Sequence, residues 1–214
     1  MRLDPTLIVI TDGQILARAS GMPLADAARA AATGGATIVQ LREKGAAGGE
    51  LLRLADEVRA ALEGSGCAFT VNDRVDVALA CGAEGAHLGQ DDMPLRRARA
   101  VAGARLAFGV SAGLPEWAER AAAEGADYIG VGPIYPTGSK AAARPPIGPE
   151  GLRRVLARAG GLPAAGIGGI TAENLAPVIA AGARGVAVIA AVMGAPDPEA
   201  AARALRRRIE EARR

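Results

Sequence analysis

Two aspartates, Asp73 and Asp92, each follow one of two consecutive apolar runs, in Val71-Asn72-Asp73-Arg74 and Leu88-Gly89-Gln90-Asp91-Asp92. Carboxylates delivered by neighbouring strands can converge on one hard cation. Mg²⁺ suits such a pair, because it takes one or two carboxylates and completes its shell with water and phosphate oxygens. Each acid could instead cap a helix, Asp73 ahead of Val75 and Asp92 ahead of Pro94. Asp91 competes with Asp92 for the metal role. Arg42 and Lys44 are two apart in Gln40-Leu41-Arg42-Glu43-Lys44, so both can face one way as a strand unwinds. A guanidinium fork beside an ammonium suits a diphosphate, and solvated surface charge is the plainer alternative. Glu43 between them is read as pairing with a neighbour rather than reacting. Gly166-Ile167-Gly168-Gly169 and Ile189-Ala190 offer bare backbone N–H groups and a helix start for one phosphoryl group, or simply a tight turn.

The single histidine, His87, lies within an apolar run and is read as packing, with no catalytic role. No Ser/His/Asp or Cys/His set can then be assembled, which argues against hydrolysis through a covalent intermediate. Cys67 and Cys81 lack metal-ligand spacing and are read as buried thiols.

These groups can meet only if something brings distant segments to one place. Short β-branched runs alternate with Ala-, Leu- and Arg-rich stretches along the whole chain, which is the pattern of repeated βα units. Eight strands are expected, at Leu7–Ile10, Ile38–Leu41, Ala68–Val71, Ala86–Leu88, Leu106–Val110, Tyr128–Val131, Ala164–Ile167 and Val186–Ile189. Most are unbroken apolar runs, as strands covered on both faces should be. Leu51, Leu54, Val58 and Leu62 share one helical face, and so do Leu152, Val155 and Leu156, and Ala201, Leu205 and Ile209. Gly35, Gly85, Gly125 and Gly182 each precede an alanine at a strand start and are expected to end helices in the left-handed conformation. Pro177 predicts a kink or a late start in the seventh helix. The α/β class, one (β/α)8 barrel over residues 1–214, follows, and this fold gathers strand exits at one mouth. The long irregular stretch from Pro136 to Gly148 is expected to be a functional loop, with Gly138 as pivot and Lys140 upon it.

Composition agrees with a barrel: 214 residues, half of them apolar and only 2% aromatic, leave a core of aliphatic side chains. The net charge of +2 balances 25 basic against 23 acidic residues, so nucleic acid is not an expected partner. Arg206, Arg207 and Arg208 alternate with Glu210 and Glu211 in reach and are read as a solvated helix face. No stretch is apolar enough to span a membrane and the N-terminus lacks a signal-peptide pattern, so a cytoplasmic protein is expected. A homodimer is left open.

Seven segments in order, Gln40–Lys44, Val71–Asp73, His87–Asp92, Gly109–Ser111, Gly132–Lys140, Gly166–Ile170 and Gly185–Ile189, resemble those of the thiamine-phosphate synthase family over essentially the whole chain. The resemblance implies transfer of an aminopyrimidine methylene from its diphosphate to the nitrogen of a thiazole phosphate, with loss of pyrophosphate and Mg²⁺ as cofactor. It implies that Gln40, Arg42, Lys44, Asn72, Ser111 and Lys140 hold the pyrimidine diphosphate, and that Arg42, Lys44, Ser111 and Lys140 assist its departure. Asp73 and Asp92 would bind the metal; Thr137, Ser139, Gly168, Ile189 and Ala190 would hold the thiazole phosphate. Two positions depart from the family pattern: Gly113 stands where relatives often carry His, and Ala190 where they often carry Ser. Two rivals share the phosphate loop. A thiazole tautomerase would need a histidine near Gly113, and a silent thiazole- or thiamine-phosphate-binding barrel would have no use for the acidic pair.

Overall fold

The computed structural model describes residues 3–138 and 145–214. Eight parallel strands close into a barrel in sequence order, each paired with its neighbours and β8 paired back to β1. The strands are β1 (Leu7–Ile10), β2 (Ile38–Leu41), β3 (Ala68–Asn72), β4 (Gly85–Leu88), β5 (Ala107–Ser111), β6 (Tyr128–Val131), β7 (Ala164–Ile167) and β8 (Gly185–Val188). The sequence expectation holds to within one residue at nearly every boundary. Outward strand residues such as Val39, Phe69, Val71, Ile129 and Val186 pack under the helices, while Ile8, Ile10, Ile38, Ala107, Tyr128, Ala165 and Ala187 fill the barrel.

Two helices, α1 (Gly13–Ala19) and α2 (Leu24–Thr33), lie between β1 and β2. Single helices follow the next six strands: α3 (Gly48–Leu62), α4 (Val75–Cys81), α5 (Leu95–Ala102), α6 (Pro115–Ala123), α7 (Gly148–Leu156) and α8 (Ala176–Ala180). The chain ends with α9 (Ala190–Met193) and α10 (Pro198–Ala212). Pro177 sits in the first turn of α8, so the helix starts late and the missing donor costs nothing. Arg206 pairs with Glu210, and Arg208 with Glu211, on the exposed side of α10. No helix among the described residues is long and apolar enough to cross a membrane.

One glycine expectation is corrected. Gly35, Gly125 and Gly182 do take positive φ, but Gly85 is a strand residue. A Cβ on Gly85 would lie 2.5 Å from the Ala107 carbonyl oxygen, so glycine there permits close strand approach. The left-handed helix end is Gly82, three residues earlier, at φ 69°. Cys81 is buried as expected, whereas Cys67 is only half-buried.

The barrel floor holds one pair of polar rings. Tyr128 is fully buried and crosses the barrel over Gly109, where any Cβ would collide with its ring. Gly109→Ala is therefore expected to destabilise the protein by roughly 1–3 kcal/mol, as overpacking of a filled core does. Urea unfolding monitored by circular dichroism checks this; an unchanged midpoint would mean the ring can move aside freely.

Candidate active site

Strand exits bring the predicted polar residues that are described to one mouth. Asp73 follows β3 directly in a left-handed conformation, φ 63°, which Asp tolerates better than most residues. Its N–H donates to the His87 carbonyl at 2.8 Å, and this turn swings the carboxylate toward Asp92. Asp92 accepts the Gly89 N–H through Oδ2 at 2.6 Å. The capping alternative fails for both acids: Arg74 and Pro94 occupy the N-cap positions of α4 and α5, and neither helix has a side-chain cap. Asp91 is exposed, so Asp92 is the acid that faces Asp73.

The two carboxyls lie within hydrogen-bond reach of each other. Burial above all, then the hydrogen bond and charge of Asp92, push the Asp73 carboxyl up to about 6, against an opposing pull from Lys44 and Arg42. The pair holds a proton more tightly than two separate carboxylates would. A divalent cation would replace that proton with a stronger partner. Among the described residues no cluster of three or more His, Cys, Asp or Glu ligands forms, so these two acids would leave most of a metal's shell to water and phosphate oxygens. The residues present thus fit Mg²⁺.

The cations are placed by β2 and its loop. Gln40 is only 2% exposed, and its carbonyl accepts from the Thr11 N–H at 2.9 Å. The Arg42 N–H donates to the Thr11 hydroxyl oxygen at 3.0 Å, and its guanidinium lies 3.5 Å from Asp12. Asp12 is itself fixed as the N-cap of α1, accepting from the Ile15 N–H at 3.0 Å. Glu43 turns away from the mouth: Thr11 donates to it at 2.8 Å and the Gly13 N–H at 3.1 Å. Burial still holds its carboxyl above the ordinary range, so its neighbours accommodate it without making it reactive. Lys44 is exposed, near enough to Asp73 to act on its charge.

Ser111 ends β5, and its carbonyl accepts from the Gln90 side chain at 2.6 Å. Arg120 on α6 donates to Gln90 in turn. His87, read from sequence as packing alone, does pack against Tyr128, with ring centroids 5.6 Å apart. The ring is also hydrogen-bonded at both nitrogens, with Nε2 3.0 Å from Ser111 Oγ and Nδ1 3.1 Å from the Tyr128 hydroxyl. Asn72, half-buried at the end of β3, pairs in register with His87.

The exits of β6, β7 and β8 form the other side. The chain leaves β6 beside β7: Ile134 N–H donates to the Ile167 carbonyl at 2.8 Å and Tyr135 N–H to the Gly168 carbonyl at 3.0 Å. Gly168 and Gly169 have φ of 100° and 62° and no room for side chains; a Cβ on Gly168 would lie 2.7 Å from Pro133 Cβ. Close packing therefore accounts for these glycines and brings the segment ending in Thr137 alongside them. Ile189 is the N-cap of α9, with Ala190 its exposed first residue. Ser139 and Lys140 lie outside the described residues, as does the middle of the Pro136–Gly148 loop. The two ends of that loop are anchored, since Ile147 N–H donates to Pro133 at 2.9 Å and Gly148 N–H to Ile134 at 3.1 Å. At Gly113 a Cβ would lie 2.7 Å from the Gly132 carbonyl oxygen, so this backbone leaves no place for the tautomerase histidine.

A groove of about 1030 Å³ opens at the opposite end of the barrel, among Leu3, Asp4, Pro163, Arg184 and Arg213. There Arg184 pairs with Asp4, and Arg213 donates to the Thr6 hydroxyl. The chemically loaded end is the mouth.

Comparison with known proteins agrees with that geometry. A family model described as thiamine monophosphate synthase matches residues 7–192, from the first strand to the short helix after the eighth. The thiamine-phosphate synthase of Moorella thermoacetica is 50% identical over 193 residues, covering 90% of this chain and 91% of that protein. The Methanoregula boonei thiamine-phosphate synthase is 49% identical over 213 residues, 100% of this chain and 96% of its own. A solved thiamine phosphate pyrophosphorylase from Pyrococcus furiosus superimposes with a TM-score of 0.88 at 39% identity, covering 99% of this chain and 98% of that one. Matched from end to end in sequence and in fold, the chain belongs to the thiamine-phosphate synthase family.

Proposed function

We propose that the mouth couples an aminopyrimidine-methyl diphosphate to a thiazole phosphate, giving thiamine phosphate and pyrophosphate. The carbon–oxygen bond to the diphosphate breaks, the thiazole nitrogen takes the methylene, and pyrophosphate leaves with the bonding electrons. The observation that carries this reading is the Asp73–Asp92 carboxyl pair, with Lys44 and Arg42 close enough to act on its charge, in a chain of this family.

Asp73 and Asp92 would hold Mg²⁺, which when bound supplies positive charge to the departing pyrophosphate. Arg42, Lys44 and Lys140 meet the remaining phosphate charge, and Ser111 adds a hydrogen bond. Gln40 and Asn72 bind the pyrimidine side. Thr137, Ser139, Gly168 and the amides of Ile189 and Ala190 hold the thiazole phosphate, with Ala190 contributing its N–H only. The Pro136–Gly148 stretch is assigned, from its sequence, the task of keeping water from the pyrimidine methylene cation. Residence in the cytoplasm is part of the same reading. Mixing both substrates with Mg²⁺ and assaying pyrophosphate and thiamine phosphate tests it; tight thiazole phosphate binding without pyrophosphate would mark a binding protein.

The acid pair also gives a pH prediction. With a folded-state carboxyl raised from 3.8 to about 6, the folded chain holds more protons than the unfolded chain between those values. The resulting stability is complete below about 3.8 and is lost as pH rises through about 6. Mg²⁺ competes for the same oxygens, so it is expected to raise the melting temperature more at pH 7.5 than at pH 5 without substrate. Thermal shift assays check this, and an equal shift in Asp73→Asn would locate the ion elsewhere.

A further inference from the structure

Aliphatic side chains and glycines dominate the barrel interior, where buried Gln40 and Thr70 are joined by two polar rings. Tyr128 rises from β6 at 0% exposure and His87 from β4, and both cross the space left by glycines. Gly109 lies under Tyr128, and a Cβ on Gly130 would come within 3.3 Å of His87 Cε1. Aliphatic side chains would fill this layer at less cost, since a buried hydroxyl must find partners or lose its hydration uncompensated. Here partners are supplied from two directions. The buried Gln40 side chain on β2 is close enough to the Tyr128 hydroxyl to favour charge on its oxygen. His87 Nδ1 lies 3.1 Å from the same oxygen, and His87 Nε2 lies 3.0 Å from Ser111 Oγ.

The donors along this line can be assigned in one direction. Gln40 stabilises the tyrosine oxygen from its amide N–H side, while burial raises the Tyr128 pKa and keeps its proton in place. That proton goes to His87 Nδ1. A neutral imidazole then carries its hydrogen on Nε2 and donates it to Ser111 Oγ. The Ser111 carbonyl is already taken by Gln90, so the strand end is fixed and only the hydroxyl hydrogen remains to be directed. With its oxygen accepting from His87, that hydrogen points outward into the mouth.

We propose that Tyr128 and His87 are positioning residues: the line Gln40–Tyr128–His87 makes the Ser111 hydroxyl an obligate donor toward the departing diphosphate. The proposal rests on the function given above. A donor held toward a leaving group gains strength as negative charge grows there, so its contribution falls on turnover more than on ground-state binding. A freely rotating serine would spend part of its time presenting a lone pair to an anion.

The test is a double-mutant cycle between Tyr128→Phe and Ser111→Ala in the full-length protein with Mg²⁺, following pyrophosphate release at saturating substrates. Tyr128→Phe is expected to lower kcat about tenfold, the scale of one hydrogen bond, with both KM values within about twofold of native. In the Ser111→Ala background the same change should cost almost nothing, because the group being oriented is gone. Equal losses in both backgrounds would show that Tyr128 serves only packing, and unchanged kcat in Tyr128→Phe would equally overturn the proposal. If Tyr128→Phe does not fold, His87→Gln and His87→Leu replace it. Glutamine retains an N–H for Ser111 and should recover most of the activity that leucine loses; equal loss refutes the line. Native protein that releases no pyrophosphate overturns the underlying function as well, an outcome distinct from additive variants of an active enzyme.

Discussion

Asp92→Asn is expected to abolish thiamine phosphate synthesis, lowering turnover on the order of 10³-fold, while the barrel stays folded. Asp92 Oδ2 accepts the Gly89 N–H at 2.6 Å, and an asparagine oxygen can accept the same bond, so the loop after β4 keeps its shape. What disappears is one of two negative charges that a divalent cation would share. Asp73 responds in the opposite sense: without the charge and hydrogen bond of Asp92, its carboxyl ionises more readily than in the native pair. A melting temperature equal to or above the native value is therefore expected in metal-free buffer. Coupled assays at saturating substrates over a Mg²⁺ series check the turnover, and thermal unfolding checks the fold. Undiminished Mg²⁺-dependent turnover would show that the metal is held without Asp92.

The strands were readable because a parallel strand covered on both faces favours a short continuous apolar run, and β1, β6, β7 and β8 are such runs while β2 to β5 are broken by only one or two polar residues. Helices α1 and α9 escaped because seven and four residues are too few to display a period. Gly85 misled for a definite reason: a Gly-Ala pair before a strand looks like a helix stop, whereas this glycine exists to let the Ala107 carbonyl approach. The acid pair was legible because adjacent strand exits must be neighbours in a closed barrel. Choosing Asp92 over Asp91 needed coordinates, since neighbouring residues on a loop carry no signal of direction.

Other parts of the site leave no local signature at all. Thr11 and Asp12 hold Arg42 across some thirty residues of sequence, and Gln90 is held by Arg120 on a different helix. His87 could be placed inside or outside the barrel by alternation, but its value depends on two glycines and a tyrosine from other strands. Such partnerships arise from register around the whole barrel, where β4, β5 and β6 set His87, Gly109 and Tyr128 side by side.

That same register decides how much Arg42 can contribute, and Arg42→Ala is expected to lower kcat/KM for the pyrimidine diphosphate by roughly 10²-fold or more, the loss typical of deleting a desolvated charged hydrogen-bonding group. The side chain is 13% exposed and lies 3.5 Å from Asp12, whose other oxygen is committed to the start of α1. Arg42 is thus oriented before substrate arrives, and little rotamer entropy remains to be lost on binding a diphosphate. Arg42→Lys keeps the charge but not the planar fork, so it should fall between native and alanine. KM for the thiazole phosphate should stay within about twofold in both variants, because that phosphate is assigned to the exits of β6 to β8 across the mouth. Steady-state kinetics with each substrate varied in turn distinguishes the cases. If both KM values rose together, Arg42 would be supporting the loop through Asp12 and Thr11 rather than gripping the diphosphate, and Asp12→Asn would then reproduce the whole defect without touching a phosphate-binding group.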